Sequence, residues 1–256
     1  MTNATTAWKL AMANVYNNYK YQSAPRGMGI REILNFKYEV DMHEPIVLLG
    51  ARKLNYGFMF AEAAWIVSGS NRLEDITPYM KSYANYSDDG FTLHGAYGPK
   101  FIDQISYVAK AIAKDLDTRQ AVMNIWREKP GESKDIPCTT NIQWLVRDKK
   151  LHCVVTMRSQ DIILGTPYDI FTFTCMTKYL QLLLWEHYST AVELGSLSVN
   201  VGSAHIYDKH LEDVDAWLSH YHQLESPLQN WRILCKRAST PTAFVEGLRR
   251  AADDYN

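Results

Sequence analysis

Apolar positions recur at helical spacing over residues 4–19, 56–68, 103–115, 169–187, 207–222 and 240–254, and these segments are the predicted helices. Alternation at period two predicts strands over 29–41, 120–127, 140–147, 151–158 and 195–203. The best hairpin signal is IQWLVRDKKLHCVVTM, in which two β-rich runs flank Arg147–Lys150, a polar turn of hairpin length. Thr5 or Thr6 is placed to cap the first helix. Two long stretches, 69–100 and 128–137, are rich in Gly, Ser, Asp and Pro and read as loops. Long loops in a compact domain more often bind or cover a ligand than merely connect. Helices and strands mix without regular βαβ alternation, so the predicted class is α+β.

At 256 residues the chain suits one large domain spanning 1–256. The longest apolar run, near Leu180–Trp185, is too short to span a bilayer. The first residues, MTNATTAWKLAMANVY, lack the charged start and continuous apolar core of a signal peptide. A formal net charge of −1 supplies no global field for nucleic acid or an anionic membrane, so local arginines must hold any anionic ligand. Cys138, Cys153, Cys175 and Cys235 show no CxxC spacing, which points to free thiols in a reducing cytoplasm. The histidines, including His205, His210, His220 and His222, have no companions at zinc-motif spacing, and no metal is expected.

Several residues carry candidate chemistry. Cys138 follows a proline where a polar loop meets a strand, with Lys134 and Arg158 as nearby cations. Such a thiol can have a lowered pKa and act as a nucleophile, or it is simply a small buried apolar residue. Arg158-Ser159 sets a guanidinium fork beside a hydroxyl, a pair suited to phosphate oxygens or else an ordinary strand end. Arg26-Gly-Met-Gly29 puts an arginine among glycines whose N–H groups could approach an anion, without the spacing of a nucleotide fingerprint. Glu62, within AEAAWIV, is a surface carboxylate or a buried one whose pKa rises into the general acid–base range. His205 and Tyr207 share one strand face. Asp169, closing RSQDIILGTPYD, either caps a helix or reads a ligand that has donors to offer.

Taken in chain order, Pro137-Cys138, then Arg158-Ser159-x-Asp161 with Leu164-Gly165-x-Pro167, then Gly202-x-x-His205-x-Tyr207-x-x-His210 resemble the thymidylate synthase family. Tyr97-Gly98, Ile102-Asp103-Gln104-Ile105, Asp117-Thr118-Arg119 and Glu62 before Trp65 extend the likeness over about residues 25–220. The resemblance implies a thymidylate synthase-like fold, a mixed sheet with flanking helices, paired sheet to sheet in a homodimer. It implies that Cys138 adds to C6 of a pyrimidine nucleotide, after which C5 attacks the methylene carried by 5,10-methylenetetrahydrofolate. Arg158, Ser159 and Arg26 would hold the 5′-phosphate, with Arg119 acting across the dimer interface. Glu62 would organise water and proton transfer, and His205 and Tyr207 would hold the sugar 3′-hydroxyl. Asp161 would lie beside base and folate, with Tyr83 and Gly165 on the folate side.

The departures from the family pattern narrow the expectation. Thymidylate synthases carry asparagine where this chain has Asp169. An amide suits the uracil edge. A carboxylate accepts from the cytosine amine, and one proton, on Asp169 or on N3, supplies the second bond. A mismatch leaves buried polar groups unpaired, so the discrimination is strong. Cys138-Thr139 replaces the usual Cys-His, and with TTNIQWLVRDKK and NVGSAHIYDKH this resembles the phage deoxycytidylate (dCMP) hydroxymethylase branch. There water captures the one-carbon unit where a synthase transfers hydride. Residues 72–90 hold no tryptophan; Tyr79, Met80 and Tyr83 stand available to admit water. Gln120 replaces a second phosphate arginine, and AADDYN lacks a short apolar closing tail. The implied reaction takes dCMP, methylenetetrahydrofolate and water to 5-hydroxymethyl-dCMP and tetrahydrofolate, in the host cytoplasm if the chain is phage-encoded. The alternatives are dCMP methylation, hydroxymethylation of CMP or dUMP, and a nucleotide-binding module without turnover.

Overall fold

Six strands form a single sheet, which a computed structural model describes together with the rest of residues 1–256. In spatial order they are β1 (Tyr21–Ser23), β2 (Ile30–Asp41), β6 (Glu193–Tyr207), β5 (Lys150–Asp161), β4 (Thr139–Arg147) and β3 (Val122–Asn124). Neighbours are antiparallel except β5 and β6, which run parallel. A parallel pair needs a long crossover, and α4 (Thr166–Tyr188) supplies it. The mixed α+β architecture is thus the one expected from the pattern.

The predicted hairpin joins β4 to β5 through Asp148-Lys149, both at positive φ (51° and 61°), the backbone hand that matches strand twist. Alternation along β5 buries Leu151, Cys153, Val155 and Met157. Trp144 of β4 and Cys153 both reach Thr177 of α4, so that helix covers this face. On the opposite face Val154, Thr156, Ser198, Asn200, Asn141 and Gln143 stay partly exposed. Helix α2 (Tyr56–Val67) packs beside α4, with Phe60 edge-on to Phe171 at 4.9 Å. Thr174 and Thr177 survive inside α4 because each hydroxyl donates to the carbonyl four residues back. One apolar cluster of 70 buried residues runs from Ala4 to Ala252, so the terminal helices share the core of the sheet. No helix is long and apolar enough to cross a membrane.

Several boundaries differ from expectation. Helix α1 (Ala4–Asn18) is capped by Asn3, whose side chain accepts from the Thr6 N–H at 2.9 Å; Thr5 faces inward and accepts from the Leu48 N–H at 2.9 Å. Helix α4 starts three residues before 169 because Pro167 suits the first turn, and α3 (Gly98–Lys114) starts before 103 for the same reason, with Pro99. The expected helix over 207–222 is shorter: β6 runs on to Tyr207, and α5 covers only Leu211–Ser219. Helix α6 (Ser226–Arg237) was unexpected, and α7 (Pro241–Asp253) lies where 240–254 predicted it.

At Gly202 of β6 an added Cβ would stand 2.7 Å from the backbone oxygen of Arg158. Backbone cannot yield as a side chain can. Gly202→Ala is therefore expected to lower stability by about 1–3 kcal/mol, seen as a lower urea midpoint; an unchanged midpoint would show that the β5–β6 contact is looser than described.

Candidate active site

The last four residues of β5 are Arg158, Ser159, Gln160 and Asp161. Pairing of Thr139 with Met157 sets Cys138 alongside them, and the Arg158 N–H donates to the Cys138 carbonyl at 2.8 Å. The Arg158 guanidinium turns back on the same segment. Its Nε donates to the Pro137 oxygen and a terminal nitrogen to the Ile136 oxygen, both at 3.0 Å, while the group lies 5.7 Å from the Trp126 ring. The Cys138 sulfur sits 3.9 Å from the Ser159 hydroxyl. Burial pushes this thiol's pKa up, and Arg158 opposes it without prevailing; Asp169 and Asp135 push the same way as burial. The expected lowering is thus reversed in the protein alone. Lys134, the other expected cation, donates instead to the Ser87 carbonyl at 3.2 Å.

Glu62 projects from α2, where the helical repeat buries almost every neighbour. Burial pushes its carboxyl up to about 7, Asp169 adds to the rise, and a hydrogen bond from Tyr83 pulls it down. The Tyr83 hydroxyl donates to Glu62 Oε1, which places the tyrosine of the 81–86 turn beside the carboxyl. General acid–base work near neutrality needs a carboxyl poised in this range.

Asp169 does not cap α4. Gly165 holds the N-cap position, with no side-chain cap, while Asp169 lies within the first turn and faces inward. Its Oδ2 accepts from the Gln160 amide at 2.9 Å, and Gln160 Oε1 accepts from the Tyr38 hydroxyl at 3.1 Å. Burial raises the Asp169 carboxyl to about 6, against the pull of Gln160 and with a push from Asp161. Tyr97 closes the other side: its oxygen accepts from the Thr139 hydroxyl at 2.9 Å, and burial, Asp169 and Cys138 hold its own proton on. Gln160, Tyr38 and Tyr97 were not foreseen as members of the site. Gln160 at least sits inside the Arg158–Asp161 motif; for Tyr38 only strand alternation gave a hint.

Asp161 turns its Oδ1 to the N–H groups of Ile163 and Leu164, at 2.8 and 3.0 Å, and so shapes the turn into α4. It pairs in register with His205, which is buried and edge-on to Tyr207 at 5.2 Å. The shared face expected for His205 and Tyr207 is present. At Gly165 a Cβ would lie 3.2 Å from both the Asp161 carbonyl and Asp169 Oδ2, so a glycine keeps this wall low.

Two expected phosphate ligands stand apart. Arg26 is exposed in the turn Pro25–Gly27 and bonds none of these residues. The space beside Gly29 is filled by the Asp208 carboxylate, which would meet a Cβ at 2.0 Å, so this glycine makes room for an acid of the chain itself. Arg119 is exposed, and its carbonyl accepts from the Gln143 side chain at 2.9 Å. Gln143 is five residues from Cys138, roughly 16 Å along the strand. A recess of about 550 Å³, lined by His43, Lys178, Trp231, Arg232 and Cys235 among others, holds none of the thiol–carboxyl cluster.

Chemically, the arrangement brings a thiol, two carboxyls and tyrosine hydroxyls within one cluster, groups able to add to an electrophile and to move protons. The family model described as thymidylate synthase matches residues 6–240, and the chain belongs to that family. Its members are folate-dependent one-carbon transferases acting on pyrimidine nucleotides, with methylenetetrahydrofolate as co-substrate. Of the residues expected on the folate side, Gly165 lies against Asp169 and the Tyr83 ring stands edge-on to Phe58 at 5.3 Å.

The Tyr83 hydroxyl stabilises the ionised form of Glu62. Tyr83→Phe should therefore move the Glu62 titration above about 7, followed as the carboxyl infrared band against pH; a midpoint that stays in place or falls would remove Tyr83 as the controlling partner.

Proposed function

We propose that the protein is a deoxycytidylate hydroxymethyltransferase, taking dCMP, 5,10-methylenetetrahydrofolate and water to 5-hydroxymethyl-dCMP and tetrahydrofolate. The observation that carries this reading is the inward-facing Asp169 carboxyl, held by Gln160 rather than used as a helix cap. A carboxyl there accepts from the cytosine amine, whereas the family's amide matches uracil. Its raised pKa, about 6, keeps a proton within reach for cytosine N3.

In this reading Cys138 is the nucleophile. Its thiol gives up a proton as it bonds to C6 of the ring, and the electron pair released into the ring makes C5 nucleophilic. Arg158 and Ser159 bind the 5′-phosphate. When bound, the folate supplies a carbon unit at the oxidation level of formaldehyde. Glu62, near half-ionised at neutral pH, takes and returns protons and with Tyr83 holds a water beside the ring. Tyr83, in the stretch 72–90 where family members place a tryptophan, favours water over hydride in the final step. His205 and Tyr207 hold the sugar hydroxyl, and Asp161 and Gly165 border base and folate.

The remaining phosphate contact comes from Arg119 of the partner subunit in a homodimer. Two features support this: Arg119 is displaced along the sheet from its own Cys138, and the partly exposed sheet face carries small polar residues suited to face a second copy. Arg26 reaches the phosphate only if its turn swings inward. Four free cysteines and one apolar core support a single domain working in a reducing cytoplasm, that of the host for a phage-encoded chain.

Mass analysis of products from dCMP, CMP and dUMP, each with methylenetetrahydrofolate, tests the reading. Addition of CH2O to dCMP is expected, and addition of CH2 would make the enzyme a methylase. Cys138→Ser should abolish turnover, and full activity in that variant would remove the covalent mechanism. Asp169→Asn should shift preference from dCMP toward dUMP by about ten-fold or more, since each buried mismatch costs roughly 1–3 kcal/mol. Equal preference before and after would end the selector role.

A further inference from the structure

A neutral carboxyl is by itself an ambiguous reader of pyrimidines. Cytosine asks it to accept from the exocyclic amine and donate to N3; uracil asks it to donate to O4 and accept from N3–H. Moving one proton between the two carboxyl oxygens converts either match into the other. Discrimination therefore needs something that fixes where that proton sits.

Gln160 is in place to do this. It is 2 % exposed, so no water competes for its amide. The Tyr38 hydroxyl donates to Gln160 Oε1 at 3.1 Å, which turns the NH2 toward Asp169, and that NH2 donates to Oδ2 at 2.9 Å. The unprotonated oxygen of a carboxyl is the better acceptor, so a proton on Asp169 is driven to Oδ1. Reversing the amide would set Oε1 against Oδ2 and strand the Tyr38 proton. The low wall at Gly165, where a Cβ would come within 3.2 Å of Oδ2, leaves that oxygen room for a second donor.

We propose that Gln160, aimed by Tyr38, is a positioning residue that sets the base specificity of Asp169 by holding Oδ2 as an acceptor. With Oδ2 toward the exocyclic group, the locked carboxyl accepts from the cytosine amine and opposes the uracil carbonyl, oxygen against oxygen. This deepens the function proposed above and rests on Asp169 as the base reader.

The test is equilibrium binding of dCMP and dUMP to the folate-free protein, native and variant. Gln160→Met keeps the length and removes the donor; Tyr38→Phe leaves Gln160 in place and removes only its aim. The ratio of dCMP to dUMP affinity is expected to fall by about ten-fold or more in Gln160→Met, and by less, in the same direction, in Tyr38→Phe. If Gln160→Met fails to fold, Tyr38→Phe alone decides. A retained native ratio, or equal weakening toward both nucleotides, overturns the proposal and leaves Gln160 a packing residue. The native ratio separately judges the function: a protein that prefers dUMP is not a dCMP enzyme, and that preference overturns the lock as well, whereas a dCMP preference kept in both variants overturns the lock alone. Binding of neither nucleotide sinks both.

Discussion

Strand β5 has partners on both sides, and the site is addressed from its final residues. Its antiparallel neighbour β4 begins where β5 nears its end, so the thiol of Cys138 is delivered to Arg158 and Ser159 by strand pairing. Its parallel neighbour β6 ends in the same direction, which brings His205 level with Asp161. A parallel pair cannot be closed by a tight turn, and the crossover that closes it begins with the helix bearing Asp169. One ladder therefore gathers residues from four separate segments.

The groups so gathered are mostly acids that ionise less readily than in water. Glu62, Asp169, Tyr97 and Cys138 all hold their protons more tightly than in water, and burial is the leading cause for each. They also oppose one another, because a charge on Asp169 makes a charge on Glu62, Tyr97 or Cys138 costlier. Such a pocket behaves as a coupled proton store, in which ionising one member alters the rest. Chemistry that creates and quenches a carbanion needs a store of this sort more than it needs a strong base.

Much of this was legible in the sequence, for identifiable reasons. Strand alternation and the polar Arg147–Lys150 turn carry local signals; the hairpin appears where the pattern put it, while only Val122–Asn124 of the expected 120–127 is strand. The apolar helical neighbours of Glu62 left surface and buried placements both open, and the packing around α2 decided between them. Other features have no local signal. Helix α6 is amphipathic and polar on average, so only Pro227 in its first turn announces it. Asn3 outcompetes Thr5 as a cap because Thr5 is drawn into the interior by the Leu48 N–H. The thiol's shift had the opposite sign from that of an activated nucleophile, since burial outweighs the Arg158 charge and burial depends on the whole fold. The orientation of Gln160 depends on Tyr38, which lies 122 residues away.

The fork of Arg158, bound to the carbonyls of Ile136 and Pro137, bears on the life of the protein between turnovers. An arginine so engaged braces the peptide before the sulfur while lending it too little charge to ionise. Thiolates, not protonated sulfur, attack peroxide and other electrophiles. The Cys138 sulfur is therefore carried in a form that ages slowly.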